Sequence, residues 1–187
     1  MSQVPERVLV LLDEAYFEYA CHLSDYPDSM HYRYDNVITL RTFSKAHGLA
    51  GFRVGYGFAH EDLIENLNKV KLPFEPSWPA QVAATAALDD SAHIKNTITS
   101  CREGMESMEM VFKELELDYI PSAANFLTLV FDNEEEAASF CDTMLHKGII
   151  LRHLAGWGLP DCVRVTIGKE SENEYLVSCL SEILSVV

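Results

Sequence analysis

Residues 39–57 read Thr-Leu-Arg-Thr-Phe-Ser-Lys-Ala-His-Gly-Leu-Ala-Gly-Phe-Arg-Val-Gly-Tyr-Gly, and they decide how the rest of the chain is interpreted. An apolar run ends in hydroxyl side chains, Lys45 follows, and glycines then flank Arg53. Glycines let a backbone approach a ligand closely, and hydroxyls beside an arginine suit a phosphate. The stretch therefore predicts an amine at the end of a strand, next to a phosphate-binding loop.

An amine beside a phosphate site is what covalent binding of pyridoxal phosphate requires. The competing interpretation is a solvated surface charge, which is the usual state of a lysine in a loop. The stretch Thr42-Phe43-Ser44-Lys45, followed by 49–56 with Arg53 at the matching spacing, resembles the cofactor-lysine motif of the fold-type I aminotransferases, and a resemblance of this length favours the functional interpretation.

Composition restricts the class of protein. The chain has 187 residues, of which 48% are hydrophobic and 23% charged, a globular balance. Its net charge of −15 argues against nucleic acid and against anionic membrane surfaces as partners, because both attract basic patches. The odd number of cysteines, without CxxC spacing, predicts reduced thiols in the cytoplasm rather than disulfides or a zinc site, and no metal is predicted.

Hydrophobic patterning predicts strands over 8–12, 36–40 and 54–59, the first of them buried on both faces of a parallel sheet. Helical spacing covers 61–71, 79–88 and 91–115. Beyond Leu117 the pattern is strand 126–131, helix 133–146 capped by Asn133, strands 149–154 and 162–167, and helix 172–184. This order predicts a compact α+β unit after the long helix.

Further short motifs stand in fixed order along the chain: 13–16 (Asp-Glu-Ala-Tyr), 124–126 (Ala-Asn-Phe), 148–152 (Gly-Ile-Ile-Leu-Arg), 155–160 (Ala-Gly-Trp-Gly-Leu-Pro) and 163–168 (Val-Arg-Val-Thr-Ile-Gly). Together with the lysine stretch they resemble the fold-type I aminotransferases of class I/II, and within these the histidinol-phosphate aminotransferases. The resemblance covers essentially the entire chain.

The resemblance implies an α/β fold. Residues 1–110 would be part of the large PLP-transferase domain, a mostly parallel sheet with helices that lacks its N-terminal portion. Residues 116–187 would be the small C-terminal α+β domain, and helix 91–115 would link the two.

The resemblance also implies a pyridoxal 5'-phosphate site. Lys45 would bind the cofactor covalently and then shuttle a proton, which requires a neutral amine. Asp13 would pair with the pyridine nitrogen, although an aspartate after a strand is more often a cap or loop acid. Tyr16 would hydrogen-bond the ring hydroxyl oxygen. The phosphate would be held by three side chains, Thr42, Ser44 and Arg53.

Three residues are implied for substrate. Arg164 would bind the α-carboxylate bidentately, and its alternative is a salt bridge. Arg152 would contact a substrate phosphate, but in relatives acting on aromatic amino acids the same arginine survives without that role. Asn125 would border the site.

The implied reaction is amino transfer between histidinol phosphate and 2-oxoglutarate, in histidine biosynthesis, by a cytoplasmic homodimer. An aromatic amino acid aminotransferase and a phosphothreonine decarboxylase relative remain open. Relatives carry a long segment before the strand that ends at Asp13, so we expect a C-terminal portion of an aminotransferase. The alternative from another class is a non-catalytic unit that binds a second chain through an exposed sheet.

Overall fold

A computed structural model describes residues 3–32 and 34–184 of the chain. These fall into two compact units, Met1–Asn96 and Thr97–Val187, and the long helix α4 (Ser91–Glu114) begins in the first and ends in the second. The α/β class predicted from the sequence is confirmed by the order of the elements. The domain limits of 110 and 116 stay a prediction.

The first unit is built on a three-stranded sheet. Its strands are β1 (Val10–Asp13), β2 (Val37–Thr42) and β3 (Gly55–Ala59), in that spatial order. β1 runs parallel to β2, whereas β3 is antiparallel to it, so the pairing is mixed. Gly55 is required at the start of β3, because a Cβ there would lie 2.7 Å from the carbonyl oxygen of Arg41.

The predicted burial of β1 on both faces is wrong. Its residues alternate between half-buried and exposed, and Leu11 is 61% exposed. Within the described residues β1 has β2 as its only neighbour, so its other edge and one of its faces are open to solvent.

The helices of this unit are α1 (Phe17–Ala20), α2 (Glu61–Val70) and α3 (Trp78–Asp89). Ser77 caps α3 by accepting a hydrogen bond from the amide of Ala80, which satisfies a free donor at the helix start. The small core of this unit comprises Phe43, Val54, Ala80 and Ala84.

The second unit has a four-stranded antiparallel sheet. Its elements are β4 (Tyr119–Ile120), β5 (Phe126–Val130), α5 (Glu134–His146), β6 (Arg152–His153), β7 (Cys162–Thr166) and α6 (Glu170–Leu184). The strand order is β4-β5-β7-β6. The sequence did not predict β4. The core packs one face of α4 against the central strands and the last helix, with Met108, Phe112, Leu127, Leu129, Val163, Val165 and Leu180 buried.

The strand predicted over 149–154 is wrong in extent, since only Arg152 and His153 pair with a neighbour. Gly148 ends α5 with a φ of +82°, and the amide of Ile149 then donates to the carbonyl of Met144 at 2.9 Å. The apolar run 149–154 therefore starts with a backbone hydrogen bond that terminates α5, and not with strand pairing. In the ranges 3–32 and 34–184, no helix has both the length and the apolar character needed to cross a membrane.

Candidate active site

The carboxyl ends of β1 and β2 bring the predicted cofactor residues of the first unit to one edge of the sheet. The strands are parallel and in register, with Asp13 opposite Leu40. Asp13 is exposed, and one of its carboxylate oxygens accepts a hydrogen bond from the amide of Ala15 at 3.1 Å. Tyr16 follows as the N-cap of α1. Functional groups collect at such strand ends in open α/β sheets.

Lys45 lies in the turn that follows β2 and faces the aromatic residue that follows β1. Its Nζ is 5.2 Å from the ring centroid of Tyr16, and its side chain is half-buried. Thr42, the last residue of β2, accepts a hydrogen bond on Oγ1 from the amide of Ser44 at 3.1 Å. The turn thus presents an amine and two hydroxyls together.

Arg53 extends this group. Its backbone is left-handed, with φ of +52°, at the end of the 3-10 turn Ala50–Phe52. One guanidinium nitrogen donates to the Ser44 hydroxyl at 3.4 Å and to the carbonyl of Ala50 at 2.9 Å. Among the described residues no carboxylate pairs with Arg53, so its charge is available to an anion. Hydroxyls and an exposed guanidinium fit a phosphate.

Next to these residues is an ion-pair network that was not predicted from the sequence. Arg41 donates to Glu14 at 2.9 Å and to Asp28 at 2.8 Å, and its guanidinium carbon lies 3.3 Å from the centroid of the Phe17 ring. The side chains of Glu14 and Arg41 are only 8% and 9% exposed. Parallel pairing of β1 with β2 places Glu14 beside Arg41, so the strand register was the signal that could have found the pair.

The network shifts the pKa of two of its members. Burial works to lower the pKa of Arg41, but hydrogen bonds to Glu14 and Asp28 outweigh it and raise the pKa. Desolvation works to raise the pKa of Asp28. The Met30 amide and the Arg41 guanidinium outweigh it, so that pKa lies below its usual value.

In the second unit, two arginines predicted to bind substrate stand directly opposite each other. Arg152 of β6 pairs with Arg164 of β7 in the antiparallel register. Nε of Arg164 is buried and has no hydrogen-bond partner among the described residues. The Arg164 guanidinium lies 5.2 Å from the ring of Phe126, and exposed Arg152 lies 5.9 Å from that of Trp157. Like charges placed opposite each other are unfavourable without an anion.

Asn125 directly precedes β5, and its carbonyl accepts a hydrogen bond from the amide of Ile167 at 2.9 Å. This bond extends the pairing of β5 with β7 by one position. The structure therefore places Asn125 just before β5, the strand that pairs with the β7 strand of Arg164, within the same unit.

The chain belongs to the aminotransferase class I and II family, whose profile matches residues 2–180. It is 44% identical over 186 residues to histidinol-phosphate aminotransferase 1 of Nitrosococcus oceani, with 98% of this chain and 50% of that protein covered. It is 41% identical over 189 residues to histidinol-phosphate aminotransferase 2 of Carboxydothermus hydrogenoformans, with 100% and 52% covered. The chain thus spans about half the length of the relatives it matches.

A solved structure agrees with this assignment. The histidinol-phosphate aminotransferase of Sinorhizobium meliloti, in complex with pyridoxal-5'-phosphate, superposes with a TM-score of 0.88 at 30% sequence identity. The match covers 98% of this chain and 50% of that chain. The PLP-transferase type of fold expected from the motifs is therefore confirmed.

Proposed function

We propose that this chain carries the lysine side of a pyridoxal-phosphate-dependent aminotransferase site that acts on histidinol phosphate and 2-oxoglutarate. One observation carries the proposal: the Lys45 amine faces Tyr16, beside the hydroxyls of Thr42 and Ser44 and the guanidinium of Arg53. The identity of 41–44% to histidinol-phosphate aminotransferases supports the choice of substrate.

The residues at the ends of β1 and β2 fit the cofactor chemically. Pyridoxal phosphate, when bound, supplies an electron sink for the carbanion formed at the substrate Cα. Lys45 would bond to it and move the proton at that carbon. Asp13 would keep the pyridine nitrogen protonated, and Tyr16 would donate to the ring oxygen. Arg53, Ser44 and Thr42 would hold the phosphate, since a fixed guanidinium fork and hydroxyls match its oxygens.

The substrate would be held in the second unit. Arg164 would take the α-carboxylate, which would satisfy its buried Nε. Arg152 would take the phosphate of histidinol phosphate from the neighbouring strand, and Asn125 would border the site. A ligand with two anionic groups would relieve the repulsion between the paired arginines. An aromatic amino acid offers one such group, so the pairing favours the phosphorylated substrate.

A second candidate function is a non-catalytic unit that binds another polypeptide, and exposed apolar surface favours it. Leu9 and Leu11 are exposed on and beside β1. A further apolar run is exposed over Val70, Leu72, Phe74 and Trp78, with Phe74 96% exposed. Exposed patches of this kind mark interaction sites. In the enzymatic proposal, the second run would lie in a homodimer interface of a cytoplasmic protein whose cysteines are free thiols.

The decisive experiment is covalent trapping. Pyridoxal phosphate is added to the chain, the product is reduced with borohydride, and the intact mass and peptide map are determined. A single adduct on Lys45, absent in Lys45→Arg, supports the site. Steady amino transfer from histidinol phosphate to 2-oxoglutarate would then exclude a decarboxylase.

The opposite outcome is equally informative. Scattered labelling of surface lysines would mean that this chain alone does not form the cofactor site. Binding of a dye to apolar surface, together with association in size-exclusion chromatography, would then favour the non-catalytic unit.

A further inference from the structure

The turn that carries Lys45 is closed by its own backbone. The amide of Gly48 donates to the carbonyl of Lys45 at 2.9 Å, and the amide of Leu49 donates to the carbonyl of Phe43 at 2.8 Å. Gly48 has φ of +71°, a left-handed conformation that suits glycine. These bonds set the shape of the turn. Its position relative to the neighbouring helices depends on side-chain contacts.

His47 connects the turn to α1. Its Nε2 lies 3.5 Å from Oε1 of Glu18, and the two side chains are 7% and 11% exposed. Its ring also packs on Phe43, with centroids 4.8 Å apart. Nδ1 of His47 and Oε2 of Glu18 are buried without a hydrogen-bond partner in the described part of the chain. The contact pairs Nε2 of His47 with Oε1 of Glu18, and because burying either of these polar atoms alone would be costly, it holds the turn against α1.

The Glu18–His47 contact links the same two segments as the contact between Tyr16 and Lys45. Glu18 stands two residues after Tyr16, and His47 stands two residues after Lys45. The Lys45 amine and the Tyr16 ring face each other at 5.2 Å. The Glu18–His47 contact therefore joins the same turn to the same helix a second time, and it fixes the distance at which the first contact forms.

His93 holds the turn from α4, within the first unit. Its Nε2 lies 3.1 Å from the carbonyl oxygen of Ala46, the residue after Lys45. A carbonyl oxygen only accepts, so this contact requires a hydrogen on Nε2. The backbone at His93 is itself fixed, because its amide donates to Asp90 at 2.9 Å. Ala46 is fully buried, which makes its carbonyl depend on a protein donor.

We propose that His47 and His93 form a clamp that positions the Lys45 amine against Tyr16. His47 acts through Glu18 of α1, and His93 acts through the carbonyl of Ala46. Both are positioning residues, since they act on Lys45 through its turn. The clamp rests on the proposed function for its purpose, but its geometry can be tested without cofactor.

The clamp predicts different results for substitution by glutamine and by asparagine, although both side chains carry the same amide group. Glutamine places its amide nitrogen near the position of histidine Nε2, whereas asparagine is one methylene shorter and does not reach. His47→Gln and His93→Gln should therefore keep the clamp, and His47→Asn and His93→Asn should release it. The matched pairs separate the loss of a contact from the loss of an imidazole ring.

The first measurement uses the cofactor-free chain. Each variant is treated with trace acetic anhydride at one pH, and labelling of Lys45 is compared by peptide mapping with that of Lys71 and Lys95, which are exposed. The asparagine variants should raise the relative labelling of Lys45 about fivefold, the factor that corresponds to the loss of one buried polar contact. The glutamine variants should match the parent chain.

The second measurement is the yield of pyridoxal phosphate on Lys45 after borohydride reduction. It should fall about fivefold in the asparagine variants while acetylation rises, because a released amine is more accessible but wrongly placed. Equal behaviour of asparagine and glutamine, or a change common to all three lysines, would overturn the clamp. If the parent chain gives no adduct on Lys45, the proposed function fails, and the acetylation comparison still decides on the clamp.

Discussion

At the scale of single residues, Arg41 joins the ends of β1 and β2, which carry the proposed cofactor residues of the first unit. Its guanidinium binds carboxylates from two other segments of the chain, Glu14 and Asp28, and stacks on Phe17. Glu14 directly follows Asp13, and Arg41 directly precedes Thr42. The ion pair therefore joins the backbones that carry two of the proposed cofactor ligands, at the point where the strands end.

Removal of this charge should destabilise the first unit strongly. Arg41→Gln leaves Glu14 buried without its cationic partner, and breaking a buried pair from one side costs about 3–5 kcal/mol. Urea unfolding followed by circular dichroism measures the loss. Arg102→Gln is the control, because its pair with Glu106 at 4.0 Å is exposed and should contribute less than about 1 kcal/mol. Equal losses in the two variants would contradict the argument.

The Asp28 carboxylate should make part of this stability dependent on pH. Its folded pKa lies below its usual value of 3.8, so the folded chain binds fewer protons than the unfolded chain in acid. The stabilisation is complete well above pH 3.8 and is lost as the pH falls through the lower, folded pKa. The difference in unfolding free energy between the parent chain and Asp28→Asn should therefore stay constant from pH 6 to about pH 5 and then shrink as the pH falls toward and through the folded pKa, as measured by urea titrations. A constant difference would exclude this role.

The sequence was most informative about the residues of the lysine stretch. The motif predicted a lysine between a strand and a glycine-bearing loop, and the structure places Lys45 there with Ser44 and Arg53. It did not predict the partners of Arg41 or of His47, because those contacts join segments far apart in the chain. The pairing of β1 with β2 brings the first set of partners together, and the position of α1 brings the second.

At the scale of elements, the helices were easier to predict than the strands. α4 has an apolar stripe that repeats every three to four residues, and its observed bounds, Ser91–Glu114, differ from the prediction by one residue. The run Ile149–Leu151 is also apolar, and it was predicted to form part of a strand. It closes α5 instead of entering the sheet, and Ile150 is 83% exposed. Short apolar runs are ambiguous because helix termini and strands both use them.

Two methionines of α4 give a matched test of the core in the second unit. Met108 is 1% exposed and lies in the main cluster, whereas Met110 is 59% exposed on the same helix. Met108→Ala should cost about 2–5 kcal/mol, because it removes a buried side chain and leaves a cavity. Met110→Ala should change the unfolding free energy by about 0.5 kcal/mol or less. Thermal and urea unfolding of both variants, if indistinguishable, would contradict the assigned core.

At the scale of the whole molecule, the two units differ in how completely they bury their apolar residues. The second has a continuous core that joins helices to both central strands. The core of the first is small, and its sheet leaves Leu11 of β1 and the preceding Leu9 exposed. An open sheet edge with apolar side chains is a template for pairing with another chain.

We therefore expect the 187-residue chain to self-associate through this edge. Leu11→Lys should shift the association to higher protein concentration, by about tenfold for a loss near 1.4 kcal/mol. Sedimentation velocity over a concentration series measures the shift. Leu145→Lys is the control, since Leu145 is 53% exposed on α5 of the second unit. Equal effects of the two substitutions would show that added charge alone opposes association.

The opposed arginines of β6 and β7 should make the thermal stability of the second unit depend on the anions in the buffer. Two guanidinium groups in direct cross-strand register repel, and mobile ions weaken that repulsion over a Debye length of about 10 Å at 0.1 M salt. The second unit should therefore respond to the buffer anion as well as to ionic strength. Sulfate carries two negative charges and should therefore stabilise this pair of arginines more than chloride does. The unfolding temperature should therefore depend on which anion the buffer contains, even though the net charge of the chain is −15.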